Sequence, residues 1–586
     1  MIDDSQIQTL LKWGQDQGAI IDPSIQFKYT KDHGISVFVT QDIKTPSEKP
    51  QIKIPSDMII HNKLALDTFG ESFISKSDNV NSSLKLLVSK LKFDNTNDSW
   101  ELQQKFKPFI DLLPLGKETG SVFYWSSEEL RTLGKTNLAG SLEAKTKSLL
   151  KEWYSTVENL EHTPELQQDL KLFHDFDSLD HDTLVSKLLD TKSWTSFGAY
   201  LWSCIIFTSR AFPNEIINSN CKPGQAILLP IIDLLNHDNS TNVEWSFEET
   251  GDEGFFTLLN KDPHTKGDEI FNNYGAKSNE ELLLGYGFTL EDNKHDTIAL
   301  RIKLPLGEIL EAENFGFQIP KIEDYTYFAF STGEEISKAI KTKYDENEGM
   351  LFYINYQNLI PDNLLKLFQF KSSQGTSETG STLRNKLNGL QIFRSALETK
   401  LSLLKESYES TTNINPDILQ NAKNYKNGQK QLYKSSLKAI KHLEKELLHD
   451  YKTHVTTLSK IYKKSESFQK LLYELLNIDS DLSLQKFDTQ DILILWIISQ
   501  NEGFGSDFQA LEYLQQTYQE NLKALENESE SELEIFEFLQ ELSTKDHKIV
   551  EYLKPRNINA AAAALNQNVY QRVSDGQIIL VEPLDL

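Results

Sequence analysis

Two neighbouring stretches decide how this chain is read: LPIIDLLNHDNSTNVEW (Leu229–Trp245) and KGDEIFNNYGAKSNEELLLGY (Lys266–Tyr286). The first is an apolar run, read as a buried strand, that ends in Asn236 and His237; two polar side chains there must find partners once buried. An Asn-His pair in that position fits a turn cap as well as a binding site. In the second stretch Tyr274 sits in the glycine-containing exit NNYGAKSN, where the backbone can turn sharply. Ser278 to Leu284 reads as a helix, and Tyr286 follows at its end. Each tyrosine alone fits a packed core; the grouping with Asn236-His237 points to chemistry.

Outward from that centre, strand signals recur at His33–Thr40 (HGISVFVT), in QIKIPSDMII with Ile52 and Ile54 alternating, in QAILLPIIDLL and in GFFTLL. From about Leu64 to Phe212 the spacing is helical, as in SWELQQKFKPFIDLLP, which stops at Pro114. A sheet that starts, yields to a long helical block and resumes implies an insertion into a β-rich domain. Beyond about residue 320 helices dominate. Lys371–Thr382 (KSSQGTSETGST) reads as an exposed loop, and leucine stripes at Leu383–Leu404 and Leu437–Tyr451 read as helix packing. Seven glutamates between Glu526 and Glu541 form a solvated face or a dock for a basic partner, Ala560–Ala564 lead into a polar tail, and QIILVE near the end reads as a short strand. The fold class is therefore α+β.

With 586 residues and 39% apolar content, the chain is long enough for several cores and is not a disordered one. No apolar run approaches the roughly 18 to 20 residues that span a bilayer. The acidic start MIDDSQ is unlike a secretory leader, so a soluble intracellular protein is expected. Two cysteines, Cys204 and Cys221, build neither a disulfide framework nor a zinc cluster and are read as buried bystanders. The formal net charge of −26 runs against a protein devoted to nucleic-acid phosphates and suits a basic partner, or simply a soluble acidic enzyme.

The set Asn236-His237, Tyr274 and Tyr286 resembles the SET-domain protein lysine methyltransferases, in the branch of the Rubisco large-subunit methyltransferase and the fungal ribosomal-protein lysine methyltransferases. SRAF (Ser209–Phe212), FIDLLP, VFYW, LRTLGKTNL (Leu130–Leu138), SNEELLLGYGF and SSLKAIKHLEKELL extend the resemblance over about residues 20 to 550. It implies a β-rich SET domain over 1–300 with a helical insertion at about 64–212, then a helical substrate-binding domain and tail over 301–586. It also implies S-adenosylmethionine as methyl donor, no metal, and His33, Gly34, Ile35, Asn236, His237 and Tyr274 around that donor. Tyr274 takes an orienting, catalytic role and Tyr286 walls the lysine channel. Arg210 and Asp233 fall at substrate-side positions, although Asp233 equally fits a turn cap and Arg210 a surface ion pair. Gly34-Ile35-Ser36 departs from the family's GxG turn, and the cysteine-rich closing segment of many histone-directed members is absent. The implied substrate is a lysine of a basic ribosomal protein of the large subunit, with a histone, another protein, or a catalytically silent SET-type binding module as alternatives. Direct nucleic-acid or membrane contact is not expected, and the location implied is the cytoplasm, with the nucleus second.

Overall fold

The structure, a computed structural model, describes residues 3–31, 34–44, 49–74, 79–95, 100–250, 253–320, 346–347, 349–374, 382–405, 414–504, 512–527 and 533–585. His33, most of the 371–382 loop and the middle of the glutamate run lie outside them. The chain divides into two units. One holds the described residues through Ile298 and takes back Leu403–Gln431; the other holds those between Ala299 and Ser402 and everything from Leu432.

In the first unit, β1 (Ile20–Ile21), β4 (Ile52–Pro55), β7 (Val243–Thr250) and β8 (Glu253–Asn260) form an antiparallel sheet in the order β1-β4-β8-β7. Its register sets Ile52 opposite Leu258 and Val243 opposite Asn260. The alternation seen in the sequence is used as expected: Ile52 and Ile54 are buried, while their neighbours are half-buried. β2 (Ile25–Thr30) and β3 (Gly34–Val39) make a hairpin whose second strand continues outward through Ile270 N–H to Val37 O (2.7 Å) and Val39 N–H to Asp268 O (2.9 Å). β5 (Ala211–Pro213) pairs with β6 (Ala226–Leu228).

The apolar run before Asn236 is not the continuous strand its composition suggests. β6 ends at Leu228, Pro230 has no N–H for a ladder, and Ile231 turns to φ +74°, a left-handed value that is an outlier for a β-branched residue. A 3-10 turn, Ile232–Leu234, follows. Asn236-His237 thus leave a kink and not a strand end. QIKIPSDMII is likewise strand only at Ile52–Pro55, then a 3-10 turn over Ser56–Met58.

The helical block between Asn62 and Arg210 ends in Phe197–Arg210, capped by Ser196 and buried at every position through Phe207. A helix buried on all sides belongs in the middle of a packed body; it emerges at Thr208, and Arg210 closes it with a cation. The tyrosine helix, Asn279–Tyr286, starts with a capping box: Ser278 Oγ accepts from Glu281 N–H while Glu281 accepts from Ser278 N–H at 2.8 Å. It ends at Gly287, which takes the left-handed φ of +79°. The first part of a 35-residue helix, Pro416–Asp450, returns to this unit. There Tyr425 Oη donates to Glu280 Oε2 (2.6 Å), and Asn421 Oδ1 accepts from Thr289 N–H (3.0 Å). Cys204 is buried as expected, whereas Cys221 is only half-buried.

The second unit has its own core, centred on the helix Thr489–Asn501, buried from Ile492 to Ser499. Ala560, Ala561, Ala562 and Ala564 lie buried in the helix Pro555–Gln567, small enough for close packing on Glu512–Ala524. Strands Val455–Thr457, Ile578–Val581 and Val569–Gln571 form a small sheet, which includes the strand read from QIILVE.

A Cβ at Gly287 falls 2.2 Å from Thr119 O and 2.8 Å from Gly120 Cα. Gly287→Ala is therefore expected to destabilise by about 2 kcal/mol or more, from the left-handed backbone and the collision together, read as a lowered midpoint in denaturant unfolding.

Candidate active site

Two backbone segments are tied side by side before any side chain is placed. Asn272 N–H donates to Asn236 O (2.7 Å) and Asp238 N–H to Asn272 O (3.0 Å), a parallel bridge that sets His237 beside Asn272. Asn236 Nδ2 then donates to Ser36 Oγ (3.0 Å) and Glu269 Oε1 (2.7 Å), which satisfies both of its protons. Ser36, where a tight glycine turn was expected, is instead a fully buried β3 residue whose hydroxyl serves Asn236. Asn272 Oδ1 accepts from Trp245 Nε1 at 3.1 Å.

On this frame three rings stack. His237 and Tyr274 lie 4.7 Å apart at 9°, and Tyr274 and Tyr286 lie 5.0 Å apart at 15°. Tyr274 N–H donates to His237 Nδ1 (3.0 Å), so the neutral imidazole carries its proton on Nε2; burial lowers the imidazole pKa and favours that neutral form. Tyr274 Oη donates to Leu235 O (2.7 Å), and burial pushes the phenol up to about 12. Phe288 meets Tyr286 edge-on.

Arg210 Nη1 donates to Asp233 O (3.1 Å) and to its Oδ2 (3.0 Å). Asp233 is buried, and burial raises its carboxyl to about 6 although Arg210 opposes the rise. Its Oδ1 has no partner among the described residues. Both alternatives left open by the sequence, a turn cap for Asp233 and a surface glutamate partner for Arg210, give way to this mutual pair.

A cleft of about 450 Å³ is lined by Gly34, Ile35, Asn236 and Phe288, and a second of about 940 Å³ by Phe212, Trp245 and Lys277. Both reach Ser209, Arg210, Asp233, Tyr274 and Tyr286. Gly34 takes φ +68°, and nothing lies within 4 Å of the Cβ it lacks, so its backbone stays open to the first cleft. His237 supports Tyr274 from behind and does not line either cleft.

Residues 297–451 match the family described as the EFM1 middle domain. Over 514 residues the chain is 37% identical to ribosomal lysine N-methyltransferase 1 of Saccharomyces cerevisiae, spanning 84% of this chain and 86% of that protein. The chain belongs to the SET-domain protein lysine methyltransferases. It is also 28% identical over 567 residues to protein-lysine N-methyltransferase EFM1 of the same yeast, covering 92% of this chain and 90% of that one. A crystal structure of the SET domain of LSMT bound to lysine and AdoHcy shares the fold, with a TM-score of 0.55 at 17% identity over 82% of this chain and 98% of that chain.

In this methyltransferase Gly34, Ile35, Asn236 and Tyr274, expected around the donor, line one cleft together with Arg210, Asp233 and Tyr286, expected on the substrate side. Glu269, Trp245 and the Leu235 carbonyl were not legible in the sequence, which gave Ser36 a place in a turn and not a bond to Asn236. A carboxylate set against Ile270 in a strand-like run was the available signal for Glu269; a backbone carbonyl leaves none. Among the described residues no group of three or more His, Cys, Asp or Glu is placed to hold a metal.

Because Asp233 titrates near 6 when folded, against an ordinary value of 3.8, its protonated form favours the folded state. That contribution is complete below about pH 4 and lost as pH rises through 6, roughly 3 kcal/mol at 1.36 kcal/mol per unit. Asp233→Asn is expected to flatten this part of the stability profile, so that the variant gains on the parent between pH 4 and 7 in urea unfolding.

Proposed function

We propose that this methyltransferase transfers the methyl group of S-adenosylmethionine to a lysine of a ribosomal protein of the large subunit, in the cytoplasm. The observation that carries the reading is that two clefts share Tyr274, Tyr286 and the Arg210–Asp233 pair in their linings. A donor in one cleft and an acceptor in the other would come together at these shared residues, and holding them in line is most of the catalysis.

The first cleft fits the donor. Its volume lies in the range of ligand sites, about 300–1,000 Å³, and Gly34 leaves main-chain groups open to it. Gly34, Ile35 and Asn236 would hold the donor there, with His237 bracing Tyr274. When bound, S-adenosylmethionine supplies an electrophilic methyl on a sulfonium.

The protein's own task is to present a neutral amine. A lysine with its ordinary pKa of about 10.4 costs roughly 4.6 kcal/mol to deprotonate at pH 7. The stacked faces of Tyr274 and Tyr286 exclude water and disfavour the ammonium. Tyr274 is not the base: its phenol is pushed up to about 12 and its proton is committed to Leu235 O. It acts as a positioned dipole that orients the acceptor. The Arg210–Asp233 pair stands on the acceptor side, where both residues line the second cleft.

The ribosomal target is supported by the name of the 37%-identical yeast relative, and the −26 charge favours encounter with any basic protein. The relative named simply protein-lysine N-methyltransferase EFM1 supports a non-ribosomal substrate as the second reading. Transfer of labelled methyl to purified ribosomal proteins and to histones under equal conditions separates the two. Tyr274→Phe is expected to lower kcat by about 10²-fold while calorimetry still reports donor binding; a wild-type rate removes Tyr274 from this role.

A further inference from the structure

The helix Pro416–Asp450 carries a charge pattern that the net charge of the chain conceals. Within the second unit, Lys434, Lys438, Lys441 and Lys445 recur at intervals of four, three and four residues, which places them on one face of the helix. All four are exposed, and none makes an ion pair among the described residues. The same spacing continues back along the sequence through Lys430, Lys426 and Lys423.

The carboxylates of this half of the helix are engaged elsewhere. Glu444 is buried and accepts from Tyr570 Oη at 2.8 Å, Glu446 pairs with His442 at 3.2 Å, and Asp450 pairs with His449 at 3.2 Å. Like charges one turn apart destabilise a helix, whereas alternating signs would have supplied solubility at a gain. A face that keeps only lysines bears that repulsion unless an anion relieves it.

The chemistry of the face selects the anion. Protein interfaces centre on aromatic and apolar anchors and are depleted in lysine, and the positions between these lysines on the exposed side hold no such anchor. Lysines alone, without arginine or aromatic groups to read bases, suit a phosphate backbone contacted as a row of charges.

We propose that this lysine face of Pro416–Asp450 docks the phosphate backbone of RNA, so that the enzyme meets its substrate beside ribosomal RNA. The choice of RNA over DNA rests on the ribosomal reading above; the choice of a nucleic-acid backbone rests on the face itself. Net charge argued against nucleic acid, but screening confines each charge to about 8 Å at physiological salt, and a local lysine row can act within that range against the sum.

The test is anisotropy of a fluorescein-labelled single-stranded RNA of mixed sequence, about 20 nucleotides long, with the full-length protein between about 50 and 200 mM salt. Binding is expected with a log–log salt slope that becomes shallower by about 3 in the variant Lys434→Gln/Lys438→Gln/Lys441→Gln/Lys445→Gln, at about 0.7 per phosphate contact, and with affinity at least tenfold weaker at the lower salt. Circular dichroism melting checks that the variant folds; the salt slope of the unaltered protein is a second readout that needs no variant. Absence of binding at the lower salt, or equal binding by the folded variant, overturns the site. Displacement by polyglutamate as effective as by unlabelled RNA overturns a nucleic acid in favour of an acidic protein. Ultraviolet crosslinking in cells is expected to yield a nucleic-acid adduct removed by ribonuclease; removal by deoxyribonuclease alone overturns RNA. None of these readouts involves methyl transfer, so failure of the ribosomal substrate assignment is recognised separately, in the methylation assay.

Discussion

The parallel bridge between His237 and Asn272 is the constraint on which the rest of the site depends. Without it, the segment arriving from the kink at Ile231 and the segment leaving toward Tyr274 have no common frame. With it, one amide nitrogen of Asn236 reaches both Ser36 and Glu269, so β3 and the two bridge segments are held at a single point. The ring stack follows from the same frame: Tyr274 N–H bonds to His237 Nδ1, and that bond brings the rings parallel. Tyr286 completes the stack from a helix fixed at one end by the Ser278 capping box and at the other by Gly287.

Electrostatics complements this geometry. A buried carboxylate is tolerated at Asp233 because Arg210 comes from the end of a helix buried through Phe207 and reaches both its carbonyl and one side-chain oxygen. The remaining oxygen, Oδ1, is buried without a partner among the described residues. Burial moves Tyr274 and His237 in the directions that keep both neutral, the phenol upward and the imidazole downward. Two neutral, stacked rings thus stand beside the Arg210–Asp233 pair.

Much of this was legible from residue types. The Asn-His pair, the two tyrosines, the helix before Tyr286 and the helical block all stand in the sequence with recognisable spacing. Other features were not, for identifiable reasons. The apolar run at Ala226–Leu235 has no periodicity to separate strand from buried turn, and the kink at Ile231 depends on its packing. Ser36 looked like a weakened glycine turn because its purpose is a bond to a residue 200 positions away. The return of Leu403–Gln431 to the first unit was equally hidden: its helical stripe is the same whichever core it covers.

That return carries a consequence for synthesis. Tyr425, bonded to Glu280 and to Gln429, and Asn421, bonded to Thr289, belong to the same unit as the tyrosine helix they touch. The unit cannot complete these bonds when Ile298 leaves the ribosome; it must wait for Gln431, 133 residues later. At about 5–20 residues per second, the interval is about 7 to 27 seconds. During it the helix bearing Tyr286 has its capping box but lacks its outer clamp, so a nascent chain holds its catalytic body unfinished until well over half of the second unit's sequence has yet to follow.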